Sequence, residues 1–114
     1  MADCIFCAIV GGDIPATVVA EDDEVLAFKD INPQAPVHVL VISKRHLANT
    51  AASAEDDERL LGHVLRVGCR VAREAGVGES GFRLVLNNGP DAGEAVNHLH
   101  LHVLGGRGLG WPPG

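Results

Sequence analysis

Apolar and polar positions alternate most strictly in VNHLHLHVLGG, residues 96–106. Leu99, Leu101 and Val103 interleave there with His98, His100 and His102. Period 2 with β-favouring apolar partners predicts a half-buried strand. Side chains two apart on a strand share a face, roughly 6.5–7 Å from one another. The leucines and the valine are thus expected to face a core, with three imidazoles in a row on the other side. The outer two rings would lie about 13–14 Å apart, too far for one small atom to touch all three. His100, in the middle, can react with the other two as flanks.

The rest of the chain carries weaker periodicities. TVVAEDDEVLAFKD, residues 17–30, reads as two strands around an acidic turn, and INPQAP, 31–36, as a proline-bounded loop. VHVLVISK, 37–44, reads as a central strand. One clear helix follows. Ser53 and Asp56 resemble a capping box, with further acid at Glu55 and Asp57. Leu61, Val64, Leu65, Gly68 and Ala72 keep helical spacing, Leu60, Val67 and Val71 widen the apolar face, and EAGVGESG ends it. FRLVLNNG, 82–89, is a strand, and GPDAGEA, 89–95, a glycine-rich loop leading into the histidines. CIFCAIVGG reads equally as a helical turn or a strand, and the tail GGRGLGWPPG has no regular structure. The sum is α+β: an antiparallel sheet of about five strands, one main helix on one face and the histidine row on the other.

Length then bounds the picture, because 114 residues make one domain, 1–114. The chain is 46% apolar without a run long enough to cross a membrane. An acidic N-terminus without a basic segment does not read as a signal peptide, so a cytoplasmic protein is expected. Three cysteines, an odd number, point to reduced thiols or a metal site rather than a disulfide framework. A formal net charge of −6 opposes nucleic-acid binding. With only nine Lys and Arg, a bound phosphate would have to be held by neutral donors and histidines.

Neutral imidazole is nucleophilic near pH 7 when its second ring nitrogen donates a hydrogen bond. A histidine row after a glycine-rich loop suits attack on phosphorus, the loop offering backbone N–H groups and Asn87 and Asn88 offering amides. Two histidines at i, i+2 could instead share a metal ion, and the spacing does not separate the two readings. Cys4 and Cys7 form C-x-x-C, which fits either a zinc site or ordinary thiols. Zinc would need two further ligands, for which His46 and His98 are candidates. Cys69 is expected in the core and His63 on the exposed side of the helix.

HLHLHVL resembles the motif of the histidine triad (HIT) superfamily, and VLAFKDINPQAPVHVLVISKRHL is similar to the strand–loop–strand core of that family. HVLGGRGLGWPPG resembles the tail of its nucleotide-binding (Hint) branch. The resemblance implies a purine nucleoside phosphoramidase, a homodimer whose sheets join. It needs no cofactor for catalysis, though some members carry a structural zinc on such a cysteine pair and two histidines. Residue by residue it implies that His100 takes the nucleotidyl group, flanked by His98 and His102, with His38 beside it. Asp30 would bind the ribose hydroxyls, Phe28 and Ile31 the base, and Asn87 and Gly93 the phosphate. The tail, 105–114, would lie at the dimer and substrate site, where Trp111 would shape leaving-group choice.

Two positions depart from that pattern. Ala95 stands where the family often has Ser or Thr, removing a hydroxyl near the phosphate, and Asn97 stands where an aromatic is common. His38, His98, His102 or water could protonate the amine. A dinucleoside polyphosphate hydrolase, a nucleotide-binding scaffold with weak turnover, and a structural zinc protein are the competing readings.

Overall fold

The computed structural model describes residues 4–114. Five strands form one antiparallel sheet in the order β1-β2-β3-β5-β4: β1 Val18–Glu21, β2 Val25–Lys29, β3 Val37–Ser43, β4 Phe82–Val85 and β5 His100–Gly105. α1, Ile5–Val10, precedes the sheet, and α2, Glu58–Glu74, links β3 to β4. This is the α+β architecture that the hydrophobic pattern predicts, with 37–43 at the centre of the sheet. CIFCAIV resolves as helix: the Cys4 sulfur accepts the Cys7 N–H at 3.3 Å, which caps a segment too short for its own periodicity to decide.

Alternation along the strands divides the apolar residues between two clusters. Val25, Ala27, Val39, Val41, Leu101 and Val103 face α2, which buries Leu60, Val64, Val67, Val71 and Ala72 against them. Leu26, Phe28, Leu40 and Ile42 face the other way and are covered by Phe6 of α1. The triad face therefore has an apolar floor of its own. Among the described residues no helix is long and apolar enough to cross a membrane.

Several local expectations are corrected. Leu65 is 40% exposed, because the buried stripe of α2 runs through Leu60, Val64, Val67 and Val71. Ser53 does not cap the helix; its hydroxyl donates to the Thr50 carbonyl at 2.6 Å. Asp57 acts instead, accepting the Ala54 N–H at 2.9 Å and pairing with Arg45. His63 is half-buried rather than exposed: its ring lies 2.7 Å from the Asp22 carboxylate and fastens α2 to the β1–β2 turn. Cys69 is only partly buried. The strand expected over 82–89 stops at Val85.

At Gly68, α2 and β5 pack closely. A Cβ there would lie 2.6 Å from Leu101 Cδ2 and 3.5 Å from Val103 Cγ2. Leu101 and Val103 are fully buried and cannot withdraw. Gly68→Val is expected to lower unfolding free energy by about 1–3 kcal/mol, read from urea denaturation at unchanged m-value.

Candidate active site

β3 and β5 pair with Ile42 opposite His100, Leu40 opposite His102 and His38 opposite Leu104. All six side chains share the α1 face, and His38 lies diagonally across from His102. The row expected from the sequence is only partly formed. The strand begins at His100, and His98 sits in the bend before it. His100 and His102 are neighbours, with ring centroids 5.1 Å apart, while the His98 ring packs on His46 at 4.9 Å.

Backbone partners decide where each ring carries its proton. His100 Nδ1 lies 2.7 Å from the His98 carbonyl oxygen. A carbonyl only accepts, so Nδ1 is the N–H and Nε2 keeps the lone pair. Among the described residues Nε2 has no hydrogen-bond partner, and it is not sealed from solvent. Phe6 closes one side of this ring, edge-on at 5.1 Å, leaving the residue 8% exposed.

The other pair follows the same logic. The Gln34 N–H donates to His38 Nδ1 at 3.0 Å, so the His38 proton is on Nε2. That nitrogen lies 2.9 Å from His102 Nδ1, which must then accept, leaving His102 with Nε2–H. Asp30 Oδ2 is 3.4 Å from the same His38 Nε2. Burial first, then the neighbouring His100 and His38 rings, lower the His102 pKa to about 4. Burial also lowers His38, against the pull of Asp30. Asp30, His38 and His102 are close enough to ring a metal ion, but the Gln34 N–H occupies Nδ1 and keeps the proton on the nitrogen that would have to bind it.

Cys4, Cys7, His46 and His98 converge beside α1, all donor atoms lying within 4.8 Å of one another. Cys4 Sγ is 3.2 Å from His98 Nδ1, and Cys7 Sγ is 3.3 Å from His46 Nδ1 and 3.5 Å from His98 Nδ1. Tetrahedral zinc with Zn–S near 2.3 Å and Zn–N near 2.0 Å would put sulfur and nitrogen about 3.5 Å apart. His98 Nε2–H donates to the Ser43 carbonyl at 2.6 Å, which turns the Nδ1 lone pair to the cysteines. The donor set fits zinc.

The glycine-rich loop differs from the expectation of free N–H groups. Gly89 N–H donates to Glu94 Oε1 at 2.7 Å, Ala92 and Glu94 N–H to the Gly89 carbonyl, and Gly93 N–H to that of Pro90. Gly93 takes φ +80°, which favours glycine. Ala95 is exposed, and its N–H makes no hydrogen bond among the described residues. Asn88 is occupied, accepting the Ala51 N–H at 2.8 Å. Asn87 is half-buried and its amide makes no hydrogen bond among the described residues. Phe28 is in the apolar floor, but Ile31 is 98% exposed and stands clear of it. Trp111 is 84% exposed, in a tail held by Arg83, which donates to the Gly110 carbonyl at 2.8 Å, and by Arg107, which donates to the Gln34 carbonyl at 3.1 Å.

Sequence reasoning missed Phe6 as the wall beside His100, Glu94 as the clasp of the loop, and the Gln34 amide. The spacing of Phe6 between two cysteines was its only signal. A hollow of about 420 Å³ touches Asp30 and His38 from the far side, between β3 and the end of α2, but includes none of the triad rings.

Residues 11–109 match the model of the HIT domain family. An uncharacterized HIT-like protein from Synechocystis sp. is 54% identical over 112 residues, 98% of this chain and 97% of that protein. The solved structure of a HIT family hydrolase from Legionella pneumophila superposes with a TM-score of 0.96 at 49% identity, covering 98% of this chain and 100% of that one. A histidine triad protein from Clostridium difficile gives 0.92 at 44% identity, covering 96% of each chain.

The ring assignments lead to a direct measurement. ¹⁵N-resolved histidine spectra at pH 7 should place the proton on Nδ1 of His100 and on Nε2 of His38 and His102. His102 should stay neutral down to about pH 4. An unfolded chain protonates this ring near 6.5, so the contribution of His102 to stability should be full above that pH and lost as pH falls toward about 4.

Proposed function

The chain belongs to the HIT family, and on that premise we propose that it is a purine nucleoside phosphoramidase of the Hint branch. The observation that carries this reading is the His100 ring, held as the Nδ1–H tautomer with Nε2 free. His100 Nε2 attacks the phosphorus of an adenosine or guanosine 5′-phosphoramidate, the P–N bond breaks, and the amine leaves with a proton. Water then attacks the nucleotidyl-histidine, releasing AMP or GMP and the free ring. His102 offers Nε2–H to the phosphoryl group, Asn87 its amide and Ala95 its backbone N–H. Phe28, with Phe6, floors the base site, and Asp30 takes the ribose hydroxyls. Ile31, exposed in the single chain, would join the base site from the loop, and Gly93 keeps the loop turned. The Legionella and Clostridium thermocellum neighbours, both described as HIT family hydrolases, support a hydrolase of this kind.

The sheet leaves β4 as an edge beside the triad strand, and Trp111 and Leu65 stand exposed. These features support a homodimer in which the tail reaches the partner's site. Cys4, Cys7, His46 and His98 would hold zinc as a structural ion, tying α1 and its Phe6 to the bend before β5. Two thiols kept for a metal support a cytoplasmic, reducing location.

His100→Ala should lower kcat/KM for an adenosine phosphoramidate at least about 10³-fold. Quenching wild type without acid should trap AMP on His100, detected by mass spectrometry and absent from the variant. A diadenosine polyphosphate turned over faster than the phosphoramidate would favour the sister-branch hydrolase, and binding without turnover would favour the scaffold. For the metal, the purified chain should hold one zinc per molecule, and Cys4→Ser should lose it along with a fall in Tm.

A further inference from the structure

The carboxylate expected to read the sugar also stands against a pair of hydrogen-bonded rings, His38 and His102. Asp30 follows β2 and is held there by its own N–H, which donates to the His38 carbonyl at 3.0 Å. Its Oδ1 accepts the Asn32 N–H at 2.8 Å, so the side chain is fixed by a turn of its own. Its Oδ2 lies 3.4 Å from His38 Nε2, and both side chains are largely buried, at 18% and 4% exposure. The same nitrogen lies 2.9 Å from His102 Nδ1. One N–H therefore faces two acceptors, with the shorter contact to His102.

We propose that Asp30 is a positioning residue for His102, acting through His38, in addition to any contact with ribose. The Gln34 amide selects the His38 tautomer, and the carboxylate holds the ring so that Nε2–H stays on the line to His102 Nδ1. His102 then presents Nε2–H and no lone pair to the phosphoryl group. A carboxylate has about four lone-pair positions, and one accepts the Asn32 N–H, which leaves room for vicinal hydroxyls beside the His38 contact. The two roles coexist. Hydroxyls donating to Asp30 would draw charge from the His38 side and strengthen donation into His102, so sugar occupancy is felt at phosphorus. This rests on the phosphoramidase reading for its substrate, but the Asp30–His38 contact and the His38–His102 hydrogen bond exist in the free protein.

The experiment crosses Asp30→Asn with an adenosine 5′-phosphoramidate and its 2′,3′-dideoxy counterpart, which has no hydroxyls to read. If Asp30 positions His102, the variant loses about tenfold in kcat on the dideoxy substrate as well, with KM there unchanged. Equal kcat for wild type and variant on that substrate overturns the proposal and leaves Asp30 a sugar reader only. A second arm needs no turnover: ¹⁵N spectra of free Asp30→Asn should show His38 Nε2 and His102 Nδ1 shifted as the hydrogen bond between them loosens, with the His38 tautomer set by Gln34 retained. Unchanged ring nitrogens in a folded variant also overturn it. If wild type hydrolyses neither compound, the phosphoramidase reading falls and the spectra alone decide the role of Asp30.

Discussion

The His100 Nδ1–H donated to the carbonyl of His98 is the constraint on which the site depends. A backbone carbonyl cannot donate in return, so this contact selects one tautomer and points the other nitrogen's lone pair out of the sheet. It works only if the His98 backbone is held still. Two bonds do that: the His98 ring donates to the Ser43 carbonyl, and Leu99 N–H donates to that of Leu47 at 2.6 Å. The bend before β5 is thereby fastened to the end of β3, the strand that also supplies His38. Of the four donors around Cys4 only His98 lies on this bend, the cysteines belonging to α1 and His46 following β3, so a metal there would tie the bend to α1 and stiffen the support of His100.

A second consequence concerns charge. The chain carries −6, and among the described residues the triad face has no Lys or Arg between its rings. Four imidazoles so close together would repel one another if protonated, and burial raises that cost. The fold answers by giving each ring a neutral partner: a carbonyl for His100 and His98, an amide N–H for His38, another ring for His102. A phosphate approaching this face meets N–H donors rather than cations. The loop does less of this work than its glycines suggest, because Glu94 has closed it on Gly89 and is itself held by Asn49 at 3.0 Å.

Much of the fold was legible in the sequence because its elements bury one face each. The period-2 runs at 17–30 and 37–44 and the 3.6-period run in 58–74 gave strands and helix within a few residues. α1 was not legible: six residues, most of them apolar, have no period to read, and a sulfur cap together with the packing of Phe6 settles them. The site was legible as a list of residues but not as an arrangement. Strict alternation at 98, 100 and 102 suggested one row, whereas His98 is drawn off by Ser43 and the cysteines before the strand begins. The pairing of His38 with His102 depends on the β3–β5 register, which no local pattern carries.

The split of the triad follows from this geometry. A strand can aim only alternate residues at one point, and neighbours on a face are about 6.5–7 Å apart, so three rings on one strand cannot all serve one reacting atom. Here His98 serves the frame through its carbonyl, His100 holds the lone pair, and His102 faces the other way along the strand to meet His38. The rings are addressed by different groups: His98 by the Ser43 carbonyl at the end of β3, His100 by the His98 carbonyl in the bend before β5, and His102 by His38, itself set by the Gln34 N–H. The motif reads as one repeated residue, but the surrounding backbone makes the three histidines chemically distinct. A histidine strand placed on a sheet without those three backbone contacts would have rings free to exchange tautomers, and no one nitrogen would keep its lone pair.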